Sequence, residues 1–132
     1  MSGFAMTRDA ADDVFSIYIR ARDTKCARCR KPGLPNKQGL PVLTLDNSHF
    51  WGRGRENTRF DEENCDALCS FGFGGCHRYW EKEDREAYRA FKVKQLGQAR
   101  FDALMLRANT YKKKDRKMEL IRAKALLKTV QP

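Results

Sequence analysis

Two separated pairs of cysteines constrain the fold of this chain more than any other feature. Two residues lie between Cys26 and Cys29, and six lie between Cys69 and Cys76. Structural zinc sites are usually built from two close pairs of thiolates that meet in space and form a tetrahedron. We therefore predict a structural metal site that joins two distant segments of the chain, in preference to four free thiols that only pack in the core.

The fifth cysteine, Cys65, leaves an alternative for the second pair. Three residues lie between Cys65 and Cys69, which is also a plausible ligand spacing. We favour Cys69 with Cys76, because Cys76 directly precedes a histidine and because Gly74 and Gly75 can accommodate the longer loop. The prediction therefore leaves Cys65 outside the metal site.

The composition is that of a small, highly charged domain. Of the 132 residues, 41% are hydrophobic and 33% are charged, so the core should be small and a metal would help to stabilise it. Residues 1–6 lack the basic segment and apolar run of a signal peptide. We therefore expect a cytoplasmic protein, in which clustered cysteines are more often metal ligands than disulfides. No apolar run is long enough to anchor the chain in a membrane.

The net charge of +10 indicates an anionic partner. Residues 98–132 carry 10 basic and 3 acidic side chains, whereas residues 1–97 carry 17 and 14. Nucleic acid is the first candidate and an anionic membrane surface is the second. The predicted phosphate contacts are basic residues near the two histidines and in the densest lysine run, namely Arg53, Arg55, Arg59, Arg78, Lys82, Lys112, Lys113 and Lys114. Such runs are also typical of a solvated surface.

The spacing of apolar residues predicts an α+β chain in three parts. Residues 1–25 contain a helix over residues 7–22 that Thr7 caps, because its apolar residues recur at intervals of three and four. Residues 26–83 hold the cysteines and both histidines. Residues 84–132 form a basic helical extension.

Strand and cap signals divide the second and third parts further. The apolar run 40–45 is rich in strand formers and predicts a strand, and residues 58–60 predict its return strand. A helix should begin at Cys76. Asp84 and Asp115 are predicted to cap the helices that follow.

Both histidines and one asparagine are placed for phosphodiester chemistry. His49 follows the apolar strand, Asn64 follows an acidic turn, and His77 lies near the start of the predicted helix. A phosphodiesterase that uses one metal ion needs an imidazole to take a proton from water and an amide to orient that imidazole or its loop. It also needs a second histidine, with a carboxylate, to hold a divalent ion against the phosphate.

The order of these residues resembles the HNH, or ββα-metal, nucleases, and among them the phage NinG or Rap recombination endonucleases. The resembling motifs are Cys26-x-x-Cys29, Leu45-Asp46-x-x-His49-Phe50, Thr58-Arg-Phe60-x-x-x-Asn64, Leu68-Cys69 and Cys76-His77. The resemblance implies a zinc-stapled ββα-metal module with His49 as general base, Asn64 as the structural asparagine and His77 as a metal ligand. Many members have Asp or His directly before the base, where this chain has Ser48, so Asp46 is the predicted carboxylate ligand.

These observations predict a metal-dependent DNA endonuclease with structural Zn²⁺ and catalytic Mg²⁺ or Mn²⁺. The resemblance places it in phage recombination or DNA processing. The prediction leaves open whether the DNA is duplex or branched and whether the chain forms a homodimer. One alternative is a zinc-binding protein that binds DNA or RNA without cutting it. Another is a zinc-stapled scaffold that recruits a protein through the helices over residues 98–129.

Overall fold

The computed structural model of the chain describes residues 9–70 and 75–131. Over these residues it contains five α-helices and four short strands, paired in two antiparallel two-stranded sheets. The elements are α1 Ala10–Asp23, β1 Leu34–Pro35, β2 Pro41–Leu43, β3 Leu45–His49, β4 Cys65–Cys69, α2 Cys76–Arg78, α3 Arg85–Leu96, α4 Gln98–Ala108 and α5 Arg116–Lys128. The predicted α+β class is confirmed. The predictions for Thr7 and Gly74 lie outside the described residues. Within the described ranges, no helix combines the length and apolar character needed to cross a bilayer.

Helix α1 is the N-terminal helix that the apolar spacing predicts. The Asp9 side chain accepts a hydrogen bond from the Asp12 backbone N–H (3.0 Å), and the Asp12 side chain accepts one from the Asp9 N–H (3.0 Å). This reciprocal cap satisfies two backbone donors at the helix start. Phe15 and Ile19 are buried on the apolar face. The helix ends near the predicted position, where Thr24 adopts a left-handed φ of 66°.

Strands β3 and β4 form the hairpin that carries the candidate site. Leu45 pairs with Cys69 at one end of the ladder, and His49 pairs with Cys65 at the other. Every residue of β4 is buried. The hairpin therefore holds a cysteine of the predicted metal site at one end and the predicted general base at the other.

Two predictions about these strands are wrong. The run 40–45 is not one strand, because Thr44 adopts a φ of 74° and separates β2 from β3. The segment 58–60 is not the return strand, because the backbone N–H groups of Thr58 and Arg59 bond to carbonyls three residues earlier in a 3₁₀ turn. Those groups are satisfied locally and do not join a ladder. The return strand is β4.

A helix begins at Cys76, as predicted. Helix α2 continues without a break into a π-helical turn, Tyr79–Glu83. The Asp84 side chain then caps α3 by accepting a hydrogen bond from the Ala87 N–H (3.1 Å). Two antiparallel strands and a helix thus follow one another and bring residues 45–49 and 76–83 together.

The C-terminal helices contribute to the same apolar clusters as the rest of the chain. Phe101 of α4 packs edge-on against Phe50, with 5.6 Å between ring centroids. Asp115 caps α5, accepting from the Lys117 N–H (2.9 Å), and Ala123 of α5 is buried in one cluster with Phe15 of α1. Helices α1 and α5 therefore pack against each other.

Four arginines of α4 and α5 form ion pairs with the acidic segment 56–63. The pairs are Arg100 with Glu63, Arg107 with Asp61 (2.8 Å), Arg116 with Glu56 (2.5 Å) and Arg122 with Glu62 (3.3 Å). Part of the positive charge of residues 98–132 is therefore neutralised inside the chain and is not presented to a partner.

Candidate metal centres and active site

The four predicted cysteines come together and form a site that could hold a metal ion. The Sγ atoms of Cys26, Cys29, Cys69 and Cys76 all lie within 4.8 Å of one another. Three of these cysteines are buried, and Cys29 is exposed. Within residues 9–70 and 75–131, no other group of three or more His, Cys, Asp or Glu side chains brings its ligand atoms close enough to hold one metal ion. The four cysteines predicted as ligands therefore form a possible metal site, and Cys65 lies outside it.

The first cysteine pair lies in a tight knuckle that is fixed to the hairpin. The Cys26 N–H donates to the Lys31 carbonyl (2.9 Å), and the Arg30 N–H donates to the Cys26 carbonyl (3.0 Å). Arg30 closes the turn with a left-handed φ of 69°. The Ala27 N–H donates to the Ala67 carbonyl of β4 (2.9 Å). This bond holds the knuckle against the strand that delivers the second pair.

The thiols differ in how readily they lose a proton. Burial acts to raise the pKa of Cys29, but hydrogen bonds from the Lys31 backbone and from neighbouring cysteines outweigh it and lower that pKa to about 7. Cys65 packs beside Phe15 and Phe60, and burial raises the pKa of its thiol far above the ordinary value. Burial also raises the pKa of Cys69 to about 12 and raises the pKa of Cys76. The lowered pKa of Cys29 favours the thiolate form that binds metal, whereas the choice of Cys69 and Cys76 over Cys65 rests on the positions of their Sγ atoms.

His49 lies at the end of β3 with one ring nitrogen already engaged. Its Nε2 is 2.9 Å from the Arg59 carbonyl oxygen. A carbonyl only accepts hydrogen bonds, so Nε2 carries the proton and Nδ1 carries the lone pair. Burial lowers the pKa of His49 to about 4, against a smaller opposing effect of this hydrogen bond. The imidazole is therefore neutral at pH 7 and has a fixed tautomer.

Asn64 holds the loop that follows His49 and makes its described hydrogen bonds there. Its Oδ1 accepts from the Trp51 N–H (2.8 Å), and its Nδ2 donates to the carbonyls of Trp51 (2.9 Å) and Thr58 (3.0 Å). The Asn64 side chain is fully buried. It therefore fixes both ends of the segment 51–58, and with it the carbonyl of Arg59 that orients the base.

His77 lies between two carboxylates. Its Nδ1 donates to Asp46 Oδ2 (2.9 Å), and its Nε2 donates to Glu81 Oε2 (2.7 Å). Burial acts to lower the pKa of His77, but the two carboxylates outweigh it and raise that pKa to about 9. The sequence-based prediction missed Glu81. The signal was present, because a residue four positions after His77 on a helix shares its face.

A chain of buried hydrogen bonds supports Glu81 from behind. Ser48 Oγ donates to Glu81 Oε2 (2.8 Å), and Tyr88 Oη donates to Ser48 Oγ (2.9 Å). Behind them lies a buried ion pair between Lys92 and Asp66 (3.0 Å). Ser48, the residue directly before the base, thus orients a carboxylate on the next helix.

One cavity of about 260 Å³ brings the proposed groups together. Nine residues line it, namely Asp12, Phe15, Ser16, Asn47, His49, Gly52, Arg53, His77 and Glu81. Asp46 does not line this cavity; it lines a shallower depression beside it, together with His77, Arg78, Glu81 and Lys82. The Asn47 Oδ1 atom is buried and has no hydrogen-bond partner among the described residues. Imidazole and carboxylate donors around an unsatisfied amide oxygen suit a hard divalent cation and its waters.

Arg59 is not a surface contact, and its prediction as a phosphate ligand is wrong. Its side chain is 4% exposed and forms an ion pair with the buried Asp12. That pair connects α1 to the segment whose carbonyl orients His49. Arg59 is buried because this carboxylate neutralises it, a pairing between distant segments that local sequence does not reveal.

The other basic residues predicted as phosphate contacts differ in their exposure and in their partners. Arg53 lines the cavity. Arg55 donates to Asn109 Oδ1 (2.6 Å) and holds the loop against the end of α4. Arg78 is exposed and pairs with Glu83 (3.3 Å). Three lysines of the run that joins α4 to α5 are exposed or half-buried, namely Lys112, Lys113 and Lys114.

No protein-family model, no curated protein sequence and no solved structure matches this chain. Its function is therefore argued from the geometry of the cavity and of the cysteine site.

Proposed function

We propose that the chain is a metal-dependent DNA endonuclease of the HNH, or ββα-metal, type. The observation that carries this proposal is a neutral histidine of fixed tautomer, His49, lining one cavity with His77 and Glu81. The four cysteines would hold a structural Zn²⁺, and the cavity would hold a catalytic Mg²⁺ or Mn²⁺. A role in phage recombination or DNA processing belongs to the proposal through the resemblance of the motifs.

The hydrolytic step uses the free ring nitrogen of His49. Nδ1 takes a proton from a water molecule as the water oxygen forms a bond to phosphorus. The bond from phosphorus to the 3′ oxygen breaks, and that oxygen takes a proton from solvent. The 5′ phosphate remains on the other fragment. A divalent ion held by His77 and Glu81 would supply stabilisation of the charge on the phosphate oxygens and on the departing oxygen.

The proposed ion site assigns different roles to the two carboxylates of His77. Glu81 shares the cavity with His49, whereas Asp46 does not line it. Glu81 and the Nε2 atom of His77 would therefore hold the ion, and Asp46 would orient the ring through Nδ1–H. This assignment replaces the prediction of Asp46 as the ligand. Binding of the ion would require His77 Nε2 to lose the proton that it donates to Glu81.

The proposal is tested by cleavage of plasmid, single-stranded, branched and RNA substrates with Mg²⁺, Mn²⁺ or EDTA. Glu81→Gln should weaken Mn²⁺ binding by on the order of 10²-fold or more, because even outer partners of metal ligands typically contribute 10–100-fold. Asp46→Asn is the matched control and should weaken it less. Mn²⁺ affinity is measured by electron paramagnetic resonance on the zinc-loaded chain. The reverse order of effects would make Asp46 the ligand, and unchanged affinity in both variants would refute the divalent site.

Ser48→Ala should lower Mn²⁺ affinity about 10-fold without changing zinc content, since it removes the donor that orients Glu81. Ser16→Ala is the matched control, because Ser16 is also buried and lines the same cavity from α1. The comparison is made by Mn²⁺ titration beside the thermal unfolding temperature. Equal losses of affinity in both variants would show a general disturbance of the cavity.

A zinc-binding protein that binds nucleic acid without cutting it is the second candidate. One observation favours it: the cysteines form a compact ligand group, whereas the carboxylates of Asp46 and Glu81 lie on opposite edges of the His77 ring. Wild-type protein that binds DNA but cuts none of these substrates with either ion would support this second candidate.

A further inference from the structure

The knuckle and the β1–β2 turn form the longest stretch of the chain without an acidic residue. Between Asp23 and Asp46 the sequence has five basic residues and no acidic one. All five are exposed, namely Lys25, Arg28, Arg30, Lys31 and Lys37. We define these five residues as the knuckle surface. A run of exposed cations without counter-charges attracts polyanions more strongly than a mixed surface does.

The knuckle surface differs from the C-terminal helices in how its charges are neutralised. Four arginines of α4 and α5 bind carboxylates of the segment 56–63. Within residues 9–70 and 75–131, no ion pair joins a cation of the knuckle surface to a carboxylate. The C-terminal excess of basic residues in the sequence therefore overstates the charge offered there, whereas Lys25, Arg30, Lys31 and Lys37 of the knuckle surface form no ion pair with a carboxylate of the described residues.

Arg28 connects the knuckle surface to the candidate active site. Its guanidinium lies 4.1 Å from the centroid of the Tyr79 ring and donates to Cys76 Sγ (3.3 Å). Cys76 and Tyr79 flank His77 in the helix. Four thiolates would carry more negative charge than a divalent ion neutralises, so Arg28 would offset part of the remainder at the metal centre. The other four cations of the knuckle surface are exposed.

The knuckle has a fixed shape. A fixed shape helps its cations to match the regular spacing of phosphates along a nucleic-acid backbone. The Ala27 N–H holds it to the Ala67 carbonyl of β4 (2.9 Å), and Lys25 forms a backbone bridge with Pro32. A metal on the four cysteines would tie it to α2 as well. Cations on a rigid support lose less conformational freedom on binding than the same cations on a mobile chain.

We propose that the knuckle surface binds the phosphate backbone of the nucleic acid that flanks the bond to be cut. This inference rests on the proposed function for its partner, and it moves the main backbone contact from the C-terminal helices to the knuckle. Each cation that neutralises a phosphate releases a condensed counterion. The contact is non-specific in sequence, and it aligns the backbone with the cavity that holds His49.

The test compares two double variants of equal charge change in the full zinc-loaded chain. Lys25→Glu with Lys31→Glu alters the knuckle surface. Lys124→Glu with Lys128→Glu alters exposed lysines of α5. Affinity for a fluorescent duplex DNA and for a duplex RNA of the same length is measured without Mg²⁺ at several salt concentrations. Zinc content and unfolding temperature are checked in each variant, and glutamine versions of both pairs serve where a glutamate version unfolds.

The knuckle variant should bind at least about 10-fold more weakly, and the slope of log affinity against log salt should become shallower by about 1 to 2. The α5 variant should lose less than about 3-fold. Equal losses would mean that only net charge matters, and no loss in the knuckle variant would also overturn the inference. If duplex RNA binds as tightly as duplex DNA, the knuckle surface recognises phosphates in either nucleic acid, and the inference is still supported. If DNA affinity depends on the knuckle surface but the wild-type protein cuts no substrate, the proposed nuclease activity is refuted and the proposed binding surface is supported.

Discussion

His49→Ala is expected to reduce the rate of DNA cleavage by about 10²–10⁴-fold, the usual contribution of a general base. The imidazole is held by the Arg59 carbonyl and presents Nδ1 as its free base atom, so the variant loses proton transfer from water. Zinc content and DNA affinity should stay near those of the wild type, because His49 lies at the opposite end of the β3–β4 ladder from Cys69 and is not part of the knuckle surface. Single-turnover cleavage at saturating Mn²⁺ measures the effect.

The control for this experiment is Ser16→Ala, which alters the wall of the same cavity from α1. It should lose far less activity than His49→Ala, because it removes no proton acceptor of suitable basicity. A His49→Ala preparation, free of contaminating nuclease, that cuts at the wild-type rate would remove His49 as the base. The zinc-binding protein without catalysis would then be the better conclusion.

The pH dependence of cleavage should reflect the burial of the His49 side chain. An unperturbed imidazole would give a rate that falls below pH ~6.5. Burial lowers the pKa of His49 to about 4, so the neutral base is present above that pH and is lost only as the pH falls through about 4. Titration of His49 should therefore cause no inflection in the single-turnover rate near pH 6.5. An inflection there that disappears in His49→Gln would show a solvated imidazole.

Local chemistry explains which parts of this fold the sequence could predict. Asp84 and Asp115 cap helices through hydrogen bonds to residues two or three positions ahead, so their signal lies within a few residues. Cys26 and Cys29 are also predicted from a local signal, because only two residues separate them. The second pair was chosen from one further clue, the histidine after Cys76.

Three of the errors depend on contacts between distant segments. Residues 58–60 have strand-like composition, yet β4 pairs with β3, because its five residues match the whole of β3 in one ladder. Arg59 looked like a surface cation, but Asp12, 47 residues earlier, neutralises it in the core. Glu81 shares a helix face with His77, but its role depends on Ser48 from another strand. Such pairings are decided by burial and register, which a local pattern does not contain.

The removal of zinc should have the largest effect on stability. Structural zinc contributes apparent binding energies of about 10–16 kcal/mol in small zinc domains, as much as the whole stability of an ordinary domain, about 5–15 kcal/mol. In this chain the proposed zinc would join the knuckle, β4 and α2 at one point, and the apolar cluster around it includes Cys26, Cys69 and Cys76 themselves. Without the ion, that cluster is left with buried thiols at the distances of a ligand set.

Cys26→Ser and Cys76→Ser should therefore lose the metal and fail to unfold cooperatively, whereas the wild type should hold one zinc per chain. Cys65→Ala is the matched control, since Cys65 is fully buried but lies in the cluster between α1 and α5. It should keep its zinc, and Cys65→Ser should keep it too while losing about 1–3 kcal/mol of stability for a buried hydroxyl. Zinc is counted by atomic emission and unfolding is followed by circular dichroism. Full zinc in Cys76→Ser together with its loss in Cys65→Ser would reverse the choice of the second pair, because each substitution removes one thiolate and alters little else.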